Sequence, residues 1–391
     1  QERWEELSGF SPSTLATNVA GLVVAAGFAR AAGEVDAAVF MEEYADFLNS
    51  QIEGWTVTTQ GTAYPPVPEH YIRIRPVDPA DSYVEGPANS GSVRIANHPE
   101  ADPALFPAKE VVDAGFLELV RYGLRKSDDP LVARSVEVVD HVLKVSTPVG
   151  PCWRRYNHDG YGQRDDGGPF VTWGTGRAWP LLVGERAHYE LARGREVAPL
   201  VKAMEQLASS TGLIPEQVWD GEDRPYLHLG LGKPTTSAMP LVWAHAEYLK
   251  LLRSIEDGRV FDRIPEVEAR YSPVASMRSR IEIWKPHHRT TQISAGTQLR
   301  IQAPEPFRLH WSLDSWTTVE DTDSVPTSLG IHYVDLPTQD RGGRLLVFTF
   351  FWIAREGWEG QDYSVRINEP RETRLREPAL RVPSVGSGSS A

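Results

Sequence analysis

A single cysteine, Cys152, stands among the 391 residues, so no intramolecular disulfide and no thiolate-rich metal site is open to the chain, and cysteine usage leaves the redox compartment undefined. The glycine motifs that carry nucleotides or serine nucleophiles are also missing. Neither G-x-G-x-x-G nor G-x-S-x-G occurs, and Gly230-Leu231-Gly232-Lys233 lacks the upstream glycine of a phosphate loop and runs into Pro234. Basic residues are in deficit, 40 Lys and Arg against 53 Asp and Glu, a net charge of −13 that opposes nucleic acid or an anionic membrane as the main partner. The opening residues Gln1 to Glu6 form no charged-then-apolar leader. Leu7 to Ala29 carries no charge, yet Ser8, Gly9, Ser11, Thr14, Thr17, Asn18, Gly21 and Gly27 break it below the 18 or so consecutive apolar residues of a membrane span. A buried helix is expected there, opening at Pro12 with Ser11 as its N-cap.

What the chain has in quantity is flat aromatic surface, 12 Trp, 13 Tyr and 12 Phe, on enough length for two or three domains. Apolar spacing predicts seven helices, over 12–32, 36–52, 108–124, 130–144, 178–193, 196–210 and 238–256. Short stops at Ala32-Gly33, Asp129-Pro130, Arg193-Gly194 and Asp257-Gly258 imply antiparallel hairpins. Some helices are apolar nearly all round and others carry a charged face, which implies an inner and an outer layer. Long segments rich in Gly, Pro, Asp and aromatics, 53–107 and 145–177, lie between the pairs. After a linker over 258–279, short alternating runs at 280–284, 298–302, 307–311, 331–334, 345–352 and 363–367 predict a separate β-sandwich-like domain over 280–370. Residues 371–391 are of low complexity and are expected to be disordered.

Three polar clusters invite a chemical reading. The acidic loop from Asn157 to Gly167 has carboxylates suited to Ca²⁺, but its spacing fits no complete calcium loop, and an Asx-turn network is expected instead. His287-His288, beside Pro286 and without a nearby carboxylate or cysteine, reads as a solvated pair. The third feature is a pair of acid sites, Trp4-Glu5-Glu6 and Glu216-Gln217-Val218-Trp219, each placing Glu near Trp in a loop at a helix boundary. Taken singly, these are ordinary surface acids. Together with aromatic loops they fit glycosidic chemistry, where one acid protonates the leaving oxygen and one base activates water.

Five segments in order carry a family resemblance: Arg3-Trp4-Glu5-Glu6 with Ser11-Pro12-Ser13-Thr14, Asp113 to Val120, Arg155 to Gly162, Gly176 to Arg186, and Ile214 to Asp220. They resemble the bacterial branch of glycoside hydrolase family 15, the glucoamylases and glucodextranases, over residues 1–257, and the β-domain looks like an accessory domain of some members. The resemblance implies an inverting exo-acting α-glucosidase that releases β-glucose from non-reducing ends of α-glucans or oligosaccharides, with no organic cofactor. Glu5 would be the general acid and Glu216 the general base. Trp4, Glu6, Arg155, Trp179, Gln217 and Trp243 would hold substrate, although helix-core packing is an equal reading for Trp179 and Trp243. Inversion requires the two carboxyls to lie about 6.5–9.5 Å apart. Family members are extracellular or periplasmic, a location the residues here do not decide.

The resemblance also implies an (α/α)₆ toroid of twelve helices with the acid between the fifth and the sixth. Seven helices follow Glu5, so the expectation is a partial toroid over 1–257 that lacks the first five helices and the family's early Arg-Asp pair. Such a chain would need a complementary N-terminal part for activity. The alternative is a non-catalytic carbohydrate- or partner-binding fragment.

Overall fold

The computed structural model describes residues 1–271 and 279–369, a helical region followed by a separate sheet-rich region. Helices α1 (Pro12–Ala31) and α2 (Val35–Thr56) form the first hairpin, turned at Gly33, whose φ of +85° an L side chain would resist. Two small ribbons follow, β1 (Val57–Thr58) with β2 (His70–Tyr71), and β3 (Ser92–Arg94) with β4 (Leu105–Pro107). Then come α3 (Leu117–Arg121), α4 (Pro130–Val142), and a three-stranded sheet of β5 (Lys144–Thr147), β6 (Gly150–Arg154) and β7 (Ala178–Trp179). Helices α5 (Pro180–Ala192), α6 (Ala198–Gln206), α7 (Val242–Asp257) and α8 (Pro265–Tyr271) complete the region. Helices α1, α3, α5 and α7 pack in sequence as one row, with α2 and α8 against α1 and α6 against α5 and α7.

The departures from expectation have local causes. In 108–124 the helix shrinks to a single 3₁₀ turn at Ala108–Glu110 and the five-residue α3, because Asp113 Oδ1 accepts the Gly115 N–H at 3.0 Å and closes an Asx turn where the helix would run. Residues 258–271, expected as linker, carry α8, which buries Val267 and pairs Arg270 with Asp46 at 2.6 Å. Ser11 has extended dihedrals before α1, but its hydroxyl bonds Ser13 Oγ at 3.0 Å rather than capping a backbone N–H. At α4 the cap does form: Asp129 Oδ1 accepts from Leu131 N at 2.8 Å and Val132 N at 3.2 Å. The low-complexity stretch 371–391 lies outside the described residues, as does 272–278.

The second region is a two-sheet sandwich. Its first sheet contains β8 (Ile281–Trp284), β10 (Gln298–Ala303), β13 (Val325–Pro326) and β14 (His332–Leu336). Its second contains β9 (Gln292–Ser294), β11 (Phe307–Ser312), β12 (Glu320–Asp323), β15 (Leu345–Trp352) and β17 (Tyr363–Asn368), with β16 (Gly357–Trp358) paired to β15. Alternation sends Phe307, Leu309 and Trp311 of β11, with Phe348 and Phe350 of β15, into the core. Strands β9, β12, β13 and β16, two to four residues long, escaped the sequence reading.

The outer face of the first sheet rests on α2. Arg300 pairs with Glu43 at 2.8 Å, Tyr333 meets Phe40 at 5.6 Å between centroids, and Ile281 and Ile283 join the helical core. His288, expected as solvated, is buried in this junction against Phe47, Trp55 and Tyr83, with Nδ1 3.0 Å from Ser82 Oγ. Burial and the neighbouring Lys285 push its imidazole down to about 4, while His287 is exposed.

Candidate active site

Glu2 organises the first candidate segment. Its buried carboxylate accepts the N–H of Trp4 at 2.8 Å and of Glu6 at 3.3 Å, while the Glu5 N–H donates to the Glu2 carbonyl at 2.9 Å. This tight turn holds Glu5 at φ +59°, a left-handed conformation uncommon for a residue other than Gly, Asn or Asp, and leaves its side chain exposed. The turn rests on a satellite core of Ile72, Ile74, Val93, Val111 and Tyr156, against which Trp4 and Leu7 pack. Segment 53–107 is therefore a packed cap beside this turn.

Two arginines pin Glu6. Arg73, wholly buried, donates to Glu2 and to Glu6 at 2.8 Å each, and Arg155 donates to Glu6 at 3.0 Å. Tyr156 OH also donates to Glu6. Arg155 is itself clamped by Asp159, through Nε and Nη2 at 2.8 Å each, and these carboxylates raise its already high basicity against the opposing cost of burial. The acidic loop thus gives its carboxylates to protein groups: Asp159 to Arg155 and the Tyr161 N–H, Asp165 to Arg177, and Asp166 to the Gly168 N–H. Among the described residues no cluster of three or more His, Cys, Asp or Glu is placed to hold a metal.

An aromatic row links the two acid segments. The Arg155 guanidinium lies 5.0 Å from the Trp4 centroid, 4.9 Å from Tyr161 and 5.4 Å from Trp179. Trp4 meets Trp179 at 5.7 Å and Trp243 at 5.8 Å, and Tyr161 meets Trp179 at 6.3 Å. Trp179 is buried in the helical core, so core packing and site position coincide for it. Trp243 is 41% exposed. Behind them Arg3 stacks on both Trp4, at 4.6 Å, and Trp243, at 5.6 Å, and is paired with Glu185 and Glu118.

Beyond Tyr161 stands Glu216, 7% exposed, on the wall of a cavity of about 430 Å³ also lined by Tyr161, Phe170, Gln217 and Ser237. Burial raises its carboxyl above the usual range, against the Tyr161 hydroxyl, the Arg155 charge and the Gln217 amide, which favour the carboxylate. Gln217 reaches Glu216 at 3.4 Å and the Tyr161 carbonyl at 3.2 Å. Its Oε1 and the indole Nε1 of Trp179 are buried without a hydrogen-bond partner among the described residues. The structure therefore draws Trp4, Glu6, Arg155, Trp179, Trp243, Glu216 and Gln217 into one network, with Glu5 on the adjoining turn and its side chain outside it. Glu2, Arg3, Arg73, Asp159 and Tyr161 were missed as site residues, although Arg3, Asp159 and Tyr161 lie within the motifs themselves.

Comparisons with known proteins place the helical region in a family. The profile of glycosyl hydrolases family 15 matches residues 1–253. A glucoamylase of Clostridium sp. (strain G0005) is 42% identical over 272 residues, 69% of this chain and 36% of that protein. A crystal structure of a bacterial glucoamylase complexed with acarbose is 41% identical and aligns with a TM-score of 0.61, covering 70% of this chain and 37% of that one. The structure of Hormoconis resinae glucoamylase aligns at 12% identity, over 94% of this chain and 66% of its own, with a TM-score of 0.38 that carries no structural argument. The chain thus spans about a third of the length of the bacterial relatives it matches.

Proposed function

The chain belongs to glycosyl hydrolases family 15, and from that premise we propose that it carries both reacting carboxyls of an inverting, exo-acting α-glucosidase of the glucoamylase or glucodextranase type. The observation that carries this reading is the environment of Glu216. A buried, raised carboxyl stands in a cavity, hydrogen-bonded by Gln217 and tied through Tyr161, Trp179 and Trp4 to the turn of Glu5. In the proposed reaction Glu5 donates its proton to the glycosidic oxygen as the C1–O bond breaks. Glu216 takes a proton from the water that attacks C1 from the opposite side, and the product is β-glucose. Trp4 and Trp179 would stack on the non-reducing sugar, with Glu6, Arg155, Gln217 and Trp243 holding its hydroxyls and the next ring. A raised base is the stronger base, so burial helps Glu216 in this role.

Residues 1–257 are proposed to be the final seven helices of an (α/α)₆ toroid, with α8 an addition at its edge. Exposed apolar residues at both ends of the helical row support this: Phe28 on α1 at 73%, and Val242 at 77% and Leu249 at 64% on α7. A complementary N-terminal part carrying five more helices would cover those faces and complete the glucose pocket. The same faces motivate a second reading, a carbohydrate- or partner-binding fragment without turnover.

Glucose release from maltose, isomaltose and dextrin, by the chain alone and mixed with an N-terminal segment of a related enzyme, separates the two. Release that begins as the β-anomer by NMR, and that falls about 10²- to 10⁴-fold in both Glu5→Gln and Glu216→Gln, is expected. Near-normal rates in either variant, or α-glucose formed first, would overturn the assignment. Binding without release in every mixture would establish the second reading.

A further inference from the structure

Opposite the face that rests on α2, the second sheet of the sandwich turns an aromatic surface outward. On β11 the side chains that alternate away from the core are Arg308 and His310, paired across the sheet with Phe351 and Thr349 of β15, and Phe351 pairs in turn with Trp358 of β16. Trp358 is 57% exposed and lies 5.2 Å from Phe351 and 5.4 Å from His310, nearly perpendicular to the latter at 74°. Trp316, from the loop after β11, stacks parallel on His310 at 5.4 Å and 15°.

This surface is held in place at a conformational cost. Ser315 and Trp316 are both left-handed, with φ of +56° and +69°, and a bulky aromatic residue is an outlier there. The loop is tied down by Asp314, whose Oδ1 accepts the Thr318 N–H at 2.8 Å and whose Oδ2 accepts the Thr318 hydroxyl at 2.7 Å, while Ser312 Oγ accepts the Trp316 N–H at 3.0 Å. These bonds, first of all those from Thr318, hold the Asp314 carboxyl down to about 2. Core packing does not explain such a loop, because the core of the sandwich is already filled from the other face.

The charges on the face are paired with one another. Arg308 donates to Asp323 at 2.7 Å, and His310 Nδ1 lies 2.8 Å from Asp321 Oδ1. The flat indole faces and the unpartnered His310 Nε2, among the described residues, suit a molecule that offers both C–H faces and hydroxyls. A ring pair set at right angles suits a bent polymer better than a flat ribbon, and α-linked glucans are bent.

We propose that Trp316, His310 and Trp358 form a second carbohydrate site, on the sandwich and separate from the Glu216 cavity, that binds α-glucan chains by stacking. The choice of α-glucan rests on the hydrolase reading above; the stacking site does not. Affinity electrophoresis of the full chain, in gels with and without amylopectin or dextran, tests it. Retardation of the wild type by at least one of these glucans is expected. The apparent dissociation constant should rise at least tenfold in Trp316→Ala and in Trp358→Ala, and Glu216→Gln should be retarded like the wild type. Should Trp316→Ala fail to fold, Trp358→Ala decides the matter at an exposed position. Wild-type protein that runs freely in both gels, or Trp358→Ala retarded as strongly as the wild type, overturns the proposal. So does retardation lost in Glu216→Gln alone. Loss of glucose release with retardation intact counts against the hydrolase reading and leaves this site standing.

Discussion

Tryptophan does different work at the two ends of this molecule, and arginine reveals the difference. Around Trp4 the arginines are buried: Arg73 has a side-chain exposure of 0% and faces Glu2 at 1%, and Arg155 is held between Glu6 and Asp159. On the outer sheet face beside Trp358, Arg308 is 48% exposed and its partner Asp323 62%. Water screens the second pair and cannot reach the first, so the first must satisfy its charges within the protein or not fold around them. A buried ionic frame of this kind fixes aromatic rings in one arrangement, as a reaction centre needs. A solvated face leaves its rings open to water, as the proposed glucan site requires.

Three substitutions probe this contrast, beyond the carboxyl and tryptophan variants above. The largest effect is expected from Arg73→Met, which leaves the buried Glu2 carboxylate without a cation and Glu6 with Arg155 alone, in the turn that carries Glu5. Breaking one side of a buried pair costs about 3–5 kcal/mol, so the denaturant midpoint should fall with an unchanged slope. A midpoint equal to the wild type would mean that the frame is not load-sharing. Tyr161→Phe should act on pH rather than on stability. The hydroxyl favours the Glu216 carboxylate, so its loss raises an already raised carboxyl further. A base must be ionised to work, and kcat/KM for glucose release should therefore lose its acid limb at higher pH than in the wild type, with the basic limb unmoved. A limb that stays put or shifts to lower pH contradicts the Tyr161 role. The smallest effect belongs to Arg308→Ala, where the melting temperature is expected to match the wild type within error. A clear drop there would erase the distinction between the two surfaces.

Much of the helical region was legible because its cause is local. The uncharged, mostly apolar stretch from Leu15 to Ala29 and the stop at Gly33 mark α1 and its turn, and Asp129-Pro130 marks the start of α4. The 108–124 stretch misled for an equally local reason, the Asp113 side chain competing for the backbone, a contest that spacing does not register. His288 read as solvated because its neighbours in sequence are polar, while Phe47, Trp55 and Tyr83 arrive from another region of the chain. Tyr161 lay inside a motif already marked by Arg155, yet only its placement beside Glu216, 55 positions on, distinguishes it from any other loop tyrosine.

Residue types and their order determined the family of this chain and the periods of its helices, since motif order and periodicity are properties of neighbours in sequence. The tertiary structure alone decided which carboxylates are consumed by arginines and which is left raised in a cavity, and which tryptophans are packed and which are turned outward. Desolvation and ion pairing depend on what surrounds a group in space, and those surroundings come from segments far apart in the chain.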